Sequence, residues 1–216
     1  VSDSTALSAR AVLFDMDGTL LESTEAVTRV WTRFAEQFGL GIDEVMATSH
    51  GVRMAETVER YAPAGTDVAA VVAELSEWEL ADSDGIVALD GSRALLAALP
   101  PASVALVTSA SRKLAVARME AAGLPLPAVL VTAEDVDHGK PRPDCYLLAA
   151  ERLGVDARDT VVFEDADAGV RAGLAAGATV VGVGGLESDS TRGLPRVPHY
   201  GDVTVAVDGD RVVLSL

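Results

Sequence analysis

Five short Val-rich runs dominate the sequence: Ala11–Phe14, Val104–Val107, Val129–Val131, residues 160–163 and Thr179–Val183. They are apolar almost throughout instead of alternating. A strand with one wet face alternates, whereas a strand buried on both faces does not, so these runs predict a parallel sheet covered by helices. Between the later runs lie helical patterns closed by glycine: 112–122 before Gly123, Asp144–Leu153 before Gly154, and 168–176 before Gly177. Strand and helix in alternation predict a doubly wound, mainly parallel α/β sheet of Rossmann-like type, with helices on both faces.

The first connection breaks that rhythm. Residues 22–86 show helical periodicity and no strand pattern. Val27, Val30, Trp31, Phe34 and Phe38 share one face, closed by Gly39. Further helices are predicted at Met54–Tyr61 and at 67–80, the latter with Val68, Val71, Val72 and Leu75 inward. Apolar helical faces need a shared core, so 22–86 is expected to form a small bundle inserted into a core made of 1–21 and 87–216. At the other end, VTVAVDGDRVVLSL places two β-rich runs around Asp208-Gly209, a hairpin signal. It is expected to form an antiparallel edge of the sheet.

The formal charge of −16 argues against nucleic acid as a partner, because phosphate backbones require a cationic surface. It equally disfavours an anionic membrane. An anionic substrate would need local positive charge from a Lys, an Arg or a metal. The single cysteine, Cys145, excludes an intramolecular disulfide and sits at helical spacing as a buried thiol. No apolar run reaches membrane length, and VSDSTALSAR lacks the apolar stretch of a signal peptide. The expectation is a soluble cytoplasmic protein, a monomer or weak dimer.

Ligands of open α/β sheets bind at the carboxyl ends of the strands. After the first run come Asp15 and Asp17, and after the second Thr108 and Ser109. Lys140 follows the third in GKPRPD, and Glu164 and Asp165 follow the fourth. Two carboxylates at one edge can share a divalent metal while one attacks an electrophile, although DMDGT alone also reads as an Asp-Gly turn. Asp165 suits a hard oxygen ligand for Mg²⁺, with Asp167 expected to cap the following helix. Thr108 and Ser109 suit either a helix N-cap or an anion site, which are compatible. The ordered set fits phosphoryl transfer.

In this order, DMDGTL, VTS, GKPRPD and FEDADAG resemble the four motifs of the haloacid dehalogenase superfamily, across nearly the whole chain. The helical insert lies where that family carries its type-one cap. The resemblance implies that Asp15 attacks phosphorus to form an aspartyl-phosphate. It implies that Asp17 protonates the leaving alcohol and then deprotonates the hydrolytic water. Mg²⁺ would be held by Asp15, the backbone carbonyl of Asp17, and Asp165, with Glu164 supporting through water. Thr108 and the Ser109 amide would hold a phosphoryl oxygen, and Lys140 would offset the charge. Asp17 separates the chain from the family's metal-free dehalogenases.

SHGVRMAETVERYAP is similar to the caps of small sugar-phosphate, glycerol-phosphate and 2-deoxyhexose-6-phosphate phosphatases. There His50, Arg53 and Glu56 would face the substrate; Arg53 and Glu56 also read as an i,i+3 surface pair. Asp90 stands where relatives commonly have proline, which bears on cap hinge stiffness. The expected activity is a Mg²⁺-dependent phosphatase of a small phosphorylated metabolite, a sugar or polyol. The rival readings are a β-phosphoglucomutase-like hexose-phosphate mutase, a phosphoglycolate phosphatase and a non-catalytic phosphate-sensing module.

Overall fold

The computed structural model describes residues 5–185 and 187–216; residues 1–4 of the expected core segment, and residue 186, lie outside it. The first third of the chain contains β1 (Ala6–Ala9), β2 (Ala11–Phe14), β3 (Leu21–Glu22) and helices α1 (Thr24–Phe38), α2 (Ile42–Ser49), α3 (Met54–Tyr61) and α4 (Val68–Ala81). Next come β4 (Val87–Ala88), α5 (Ser92–Ala98), β5 (Val104–Val107), α6 (Arg112–Ala121), β6 (Val129–Val131) and α7 (Asp144–Leu153). The chain closes with β7 (Thr160–Glu164), α8 (Asp167–Ala175), β8 (Thr179–Val183), β9 (Arg196–Val197), β10 (Thr204–Asp208) and β11 (Arg211–Ser215).

The main sheet has six strands in the order β6-β5-β2-β7-β8-β9, and all of its pairings are parallel. Its near-continuous apolarity has a direct cause, since successive residues enter different cores. Val12, Phe14, Leu106 and Phe163 pack with Leu95 and Met119 of α5 and α6, and with Tyr200, Val212 and Leu214. Leu13, Ala105 and Val162 pack with α7 and α8, including Cys145, Tyr146, Ala149 and Val170. Phe14 and Phe163 stack at 5.1 Å across β2 and β7, with Tyr200 edge-on. Such aromatic pairs add about 0.5–1.5 kcal/mol each beyond their burial.

Two expectations fail here. The C-terminal hairpin forms as β10–β11 but does not extend the parallel sheet. It pairs with β1 in a separate antiparallel sheet, order β1-β11-β10, leaning Val212 and Leu214 onto the main core. β1 immediately precedes β2 and offers its free edge to β11, and sequence patterning alone does not reveal that competing partner. Asp167 also does not cap α8: Ala166 holds the cap position, and Asp167 lies in the first turn, where its carboxylate accepts from Ser190. Among the described residues no side chain caps the helix; Glu164 Oε2 instead accepts from the amides of Asp165 and Ala166 in the turn that leads into it.

Helices α1–α4 share an apolar cluster of their own, built on Val30, Trp31, Phe34, Val45, Val58, Val71 and Leu75. The chain leaves the main body through β3 and returns through β4, which pair antiparallel with Leu21 opposite Ala88.

Candidate active site

β2 ends at Phe14, and the chain turns at once. Gly18 has φ +76°, and a Cβ there would lie 1.9 Å from Asp165 Oδ2. The Asp-Gly turn is therefore needed for conformation and for space alike, because the Asp165 carboxylate occupies the room a side chain would take. Gly169 on α8 does the same for Glu164, with a Cβ there falling 1.6 Å from Oε1. Glycines at one turn and in the first turn of α8 let three carboxylates converge. Asp15, Glu164 and Asp165 each offer an oxygen within 4.8 Å of the others.

Lys140 reaches into this cluster from the loop after β6 and is 1 % exposed. Its Nζ donates to Asp15 Oδ1 and to Glu164 Oε1, both at 2.6 Å, and to the Val107 carbonyl at 3.3 Å. Tyr146 of α7 donates its hydroxyl to the same Glu164 oxygen at 2.9 Å. Burial works against the lysine charge, but Asp15 and Glu164 outweigh it and raise its pKa well above the ordinary value. Burial pushes the Asp15 carboxyl up, opposed by Lys140 and reinforced by Glu164 and Asp165. One ammonium thus serves two buried carboxylates.

Asp165 is held by Thr19, whose hydroxyl donates to Oδ1 at 3.0 Å, and by His50 Nε2, 2.7 Å from Oδ2. The hydrogen bond to Asp165 raises the His50 pKa to about 9, so the imidazole is cationic at neutral pH. Asp15 and Asp165 are hard oxygen donors in a pocket with more anions than Lys140 can neutralise, and this donor set fits Mg²⁺. Both Glu164 oxygens are already committed to hydrogen bonds.

Thr108 is buried at the end of β5, and its hydroxyl accepts from the Ala110 amide. Neither it nor Ser109 caps α6; Ser111 does, accepting from the Leu114 amide. The Ser109 hydroxyl donates to the Gly51 carbonyl of the helical insert at 2.7 Å. Asp17 does not join the carboxylate cluster with its side chain. Its Oδ1 accepts from Ser23 at 2.6 Å and from Arg118 at 2.9 Å. Arg53 and Glu56 form the i,i+3 pair, and Arg53 also donates to the carbonyls of Val136 and Asp137 across the gap to the main body. These residues border one cavity of about 470 Å³ between the helical insert and the strand ends, which Asp15, Asp17, Thr108, Ser109, His50 and Arg53 help to line.

Sequence reasoning missed Arg118 and Glu79, although both carried a signal. Arg118 falls on the stripe of Leu114, Ala115 and Met119, and Glu79 follows Val71 and Leu75 at helical spacing, so each places a charge on an inward face.

A family model described as haloacid dehalogenase-like hydrolase matches residues 9–177. The chain is 48% identical over 179 residues to hexitol phosphatase A of Escherichia coli, covering 81% of this chain and 82% of that one. It is 35% identical over 199 residues to 2-deoxyglucose-6-phosphate phosphatase 1 of Saccharomyces cerevisiae, covering 82% and 80%. Among solved structures, CbbY from Rhodobacter sphaeroides in complex with phosphate superposes with a TM-score of 0.77 at 26% identity, covering 90% of this chain and 96% of that one.

Proposed function

Because the chain belongs to the haloacid dehalogenase-like hydrolase family, we propose that it is a Mg²⁺-dependent phosphatase of small phosphorylated sugars or polyols, acting through an aspartyl-phosphate on Asp15. The observation that carries this reading is Lys140 shared between Asp15 and Glu164, beside Asp165. A buried carboxylate can be an anionic nucleophile only where cations hold it ionised. Asp15, Asp165 and the backbone carbonyl of Asp17 would hold Mg²⁺, with Glu164 supporting them. When bound, the metal supplies Lewis-acid neutralisation of the phosphoryl oxygens.

An Asp15 oxygen forms a bond to phosphorus as the P–O bond to the alcohol breaks. The leaving alkoxide takes its proton from Asp17, which enters the step protonated on Oδ2 while Oδ1 accepts from Ser23 and Arg118. Asp17, now ionised, accepts a proton from water as that water attacks the aspartyl-phosphate, releasing phosphate and restoring Asp15. Lys140 keeps Asp15 ionised for the attack and in place throughout, and Thr108 and the Ser109 amide donate to the phosphoryl oxygens. The helices α1–α4 act as the cap over the cavity, with His50, Arg53 and Glu56 at its edge.

The charge of the cavity supports a monophosphate. The arginines that line it, Arg53 and Arg118, are both paired, with Glu56 in one case and with Asp17 and Glu79 in the other. Neither is free for a second phosphate, which a mutase working through a bisphosphate must bind. Ser49, Ser76 and Glu59 line the wall of the insert and suit hydroxyl groups.

A phosphate-release screen over hexitol, hexose, glycerol and glycolate phosphates, with Asp15→Asn as control, tests the reading. Release from polyol or sugar monophosphates that is lost in Asp15→Asn is expected. Isomer without free phosphate would instead identify a mutase, and no turnover of any phosphate would leave a sensing module.

A further inference from the structure

Arg118 lies on α6, 101 residues from Asp17 in sequence, and its side chain is 6% exposed. One arm of the guanidinium, Nη1, donates to Asp17 Oδ1 at 2.9 Å. The other, Nη2, donates to Glu79 Oε1 at 3.2 Å, and Glu79 belongs to α4 of the helical insert. Ser23 donates to the same Asp17 Oδ1 at 2.6 Å. Both donors therefore hold one oxygen, and Asp17 Oδ2 has no hydrogen-bond partner among the described residues. An unrestrained aspartate samples several rotamers. This one is fixed at one oxygen and bare at the other, while Asp17 itself borders the cavity.

We infer that Arg118 is a positioning residue for Asp17: with Ser23 it pins Oδ1 so that Oδ2 faces the leaving group, and through Glu79 it ties that orientation to the seating of α4 on α6. The planar fork of arginine suits this, since two parallel arms can hold two carboxylates at a fixed separation, which a lysine cannot do. The inference rests on the proposed role of Asp17 as proton donor. It adds that the helical insert sets the geometry of that proton transfer as well as walling the cavity.

The discriminating measurement is single-turnover ester cleavage with two leaving groups. An alkyl monophosphate, such as a hexitol phosphate, expels an alkoxide that needs a proton as it leaves. p-Nitrophenyl phosphate expels a phenolate that needs none. Arg118→Met is expected to slow alkyl cleavage by about 10²-fold, the scale of a misplaced catalytic group, with p-nitrophenol release changed by less than about 10-fold. Arg118→Lys, which keeps one donor for Asp17, is expected to recover much of the alkyl rate. Glu79→Ala is expected to slow alkyl cleavage more than aryl cleavage, by a smaller factor than Arg118→Met.

Equal slowing of both esters, or no slowing of either, would overturn the inference. If Arg118→Met does not fold, Arg118→Lys and Glu79→Ala decide by the same comparison. Asp17→Asn separates this from the underlying reading. Full alkyl cleavage by Asp17→Asn would sink the proton-donor assignment itself. Loss in Asp17→Asn combined with equal slowing of both esters in the Arg118 variants would sink only the positioning role.

Discussion

Glu164 occupies the space that a side chain at Gly169 would need, its Oε1 falling 1.6 Å from where a Cβ would stand. Glycine within a helix ordinarily costs about 0.5–1 kcal/mol relative to alanine, so Gly169→Ala on α8 would stabilise an ordinary helix. Here it is expected to destabilise by about 1–3 kcal/mol, the usual cost of overpacking a filled site, and to abolish phosphate release by driving Glu164 away from Lys140. Urea unfolding alongside a phosphate assay checks both, and a rise in stability would contradict the packing described.

Lys140→Met removes the only side-chain cation touching Asp15 among the described residues. Breaking a buried pair from one side typically costs about 3–5 kcal/mol, and a loss of that order in urea unfolding is expected. The sign of its pH dependence follows from burial. The Asp15 carboxyl, already raised by desolvation, loses the lysine that opposed the shift. A raised carboxyl binds its proton more tightly folded than unfolded. The variant's deficit against wild type should therefore be smallest at acid pH, where Asp15 is protonated in both folded proteins, and widen once pH passes the wild-type carboxyl's own raised value. A deficit independent of pH would contradict this.

Asp135 behaves in the opposite sense. Burial alone would raise its carboxyl, but Arg152 and Thr132 outweigh burial and hold it well below the usual carboxylate range. It also accepts from Arg112, so one side chain ties α6, β6 and α7 together. A depressed carboxyl adds stability that is present above the unfolded pKa and is lost as pH falls. Asp135→Asn is expected to cost about 1.5–3 kcal/mol at neutral pH, the range for hydrogen bonds to charged groups. The gap from wild type should narrow on acidification below about pH 4. Denaturation midpoints measured from pH 7 to pH 3 give the comparison.

Chelation should abolish activity, and Mg²⁺ should restore it. A readout independent of turnover is thermal unfolding. A ligand that binds only the folded state raises the midpoint, so Mg²⁺ should raise that of the wild type and shift that of Asp165→Asn far less. An equal shift in both proteins would place the metal elsewhere.

Cys145 is buried against α7's neighbours, and burial pushes its thiol up to about 11. Thiolate is the reactive form. Alkylation by iodoacetamide at pH 8 should therefore be slow in the native protein and become fast at the urea midpoint. Rapid labelling of the folded chain would mean that α7 is not seated as described.

Much of this architecture was legible because it rests on local patterns. β2, β5, β6 and β8 fall where continuous apolar runs predict them, and α7 ends at Gly154 as its sequence requires. Strand-end acids were legible for the same reason: a charged residue directly after a doubly buried strand has few structural purposes. What escaped depends on docking between distant segments. The Arg118–Asp17–Glu79 arrangement joins α6, the turn after β2, and α4. The cap position of α8 falls one residue before the Asp167 that the sequence suggests for it, a difference of helix register that sequence does not resolve. The hairpin signal at Asp208-Gly209 fixed the turn and carried no information about which edge would receive it.

The insert departs and returns through adjacent two-residue strands, with Leu21 opposite Ala88. Any replacement segment of helices would meet the same pair of attachment points a strand's width apart, and would leave the Asp15–Lys140 pair undisturbed. Few contacts would have to be re-established, chiefly His50 with Asp165, Ser109 with Gly51, Arg53 with the loop at Val136, and Arg118 with Glu79. Recombination at those two points would exchange the insert alone, so that the range of compounds accepted and the reaction performed on them could evolve on separate schedules.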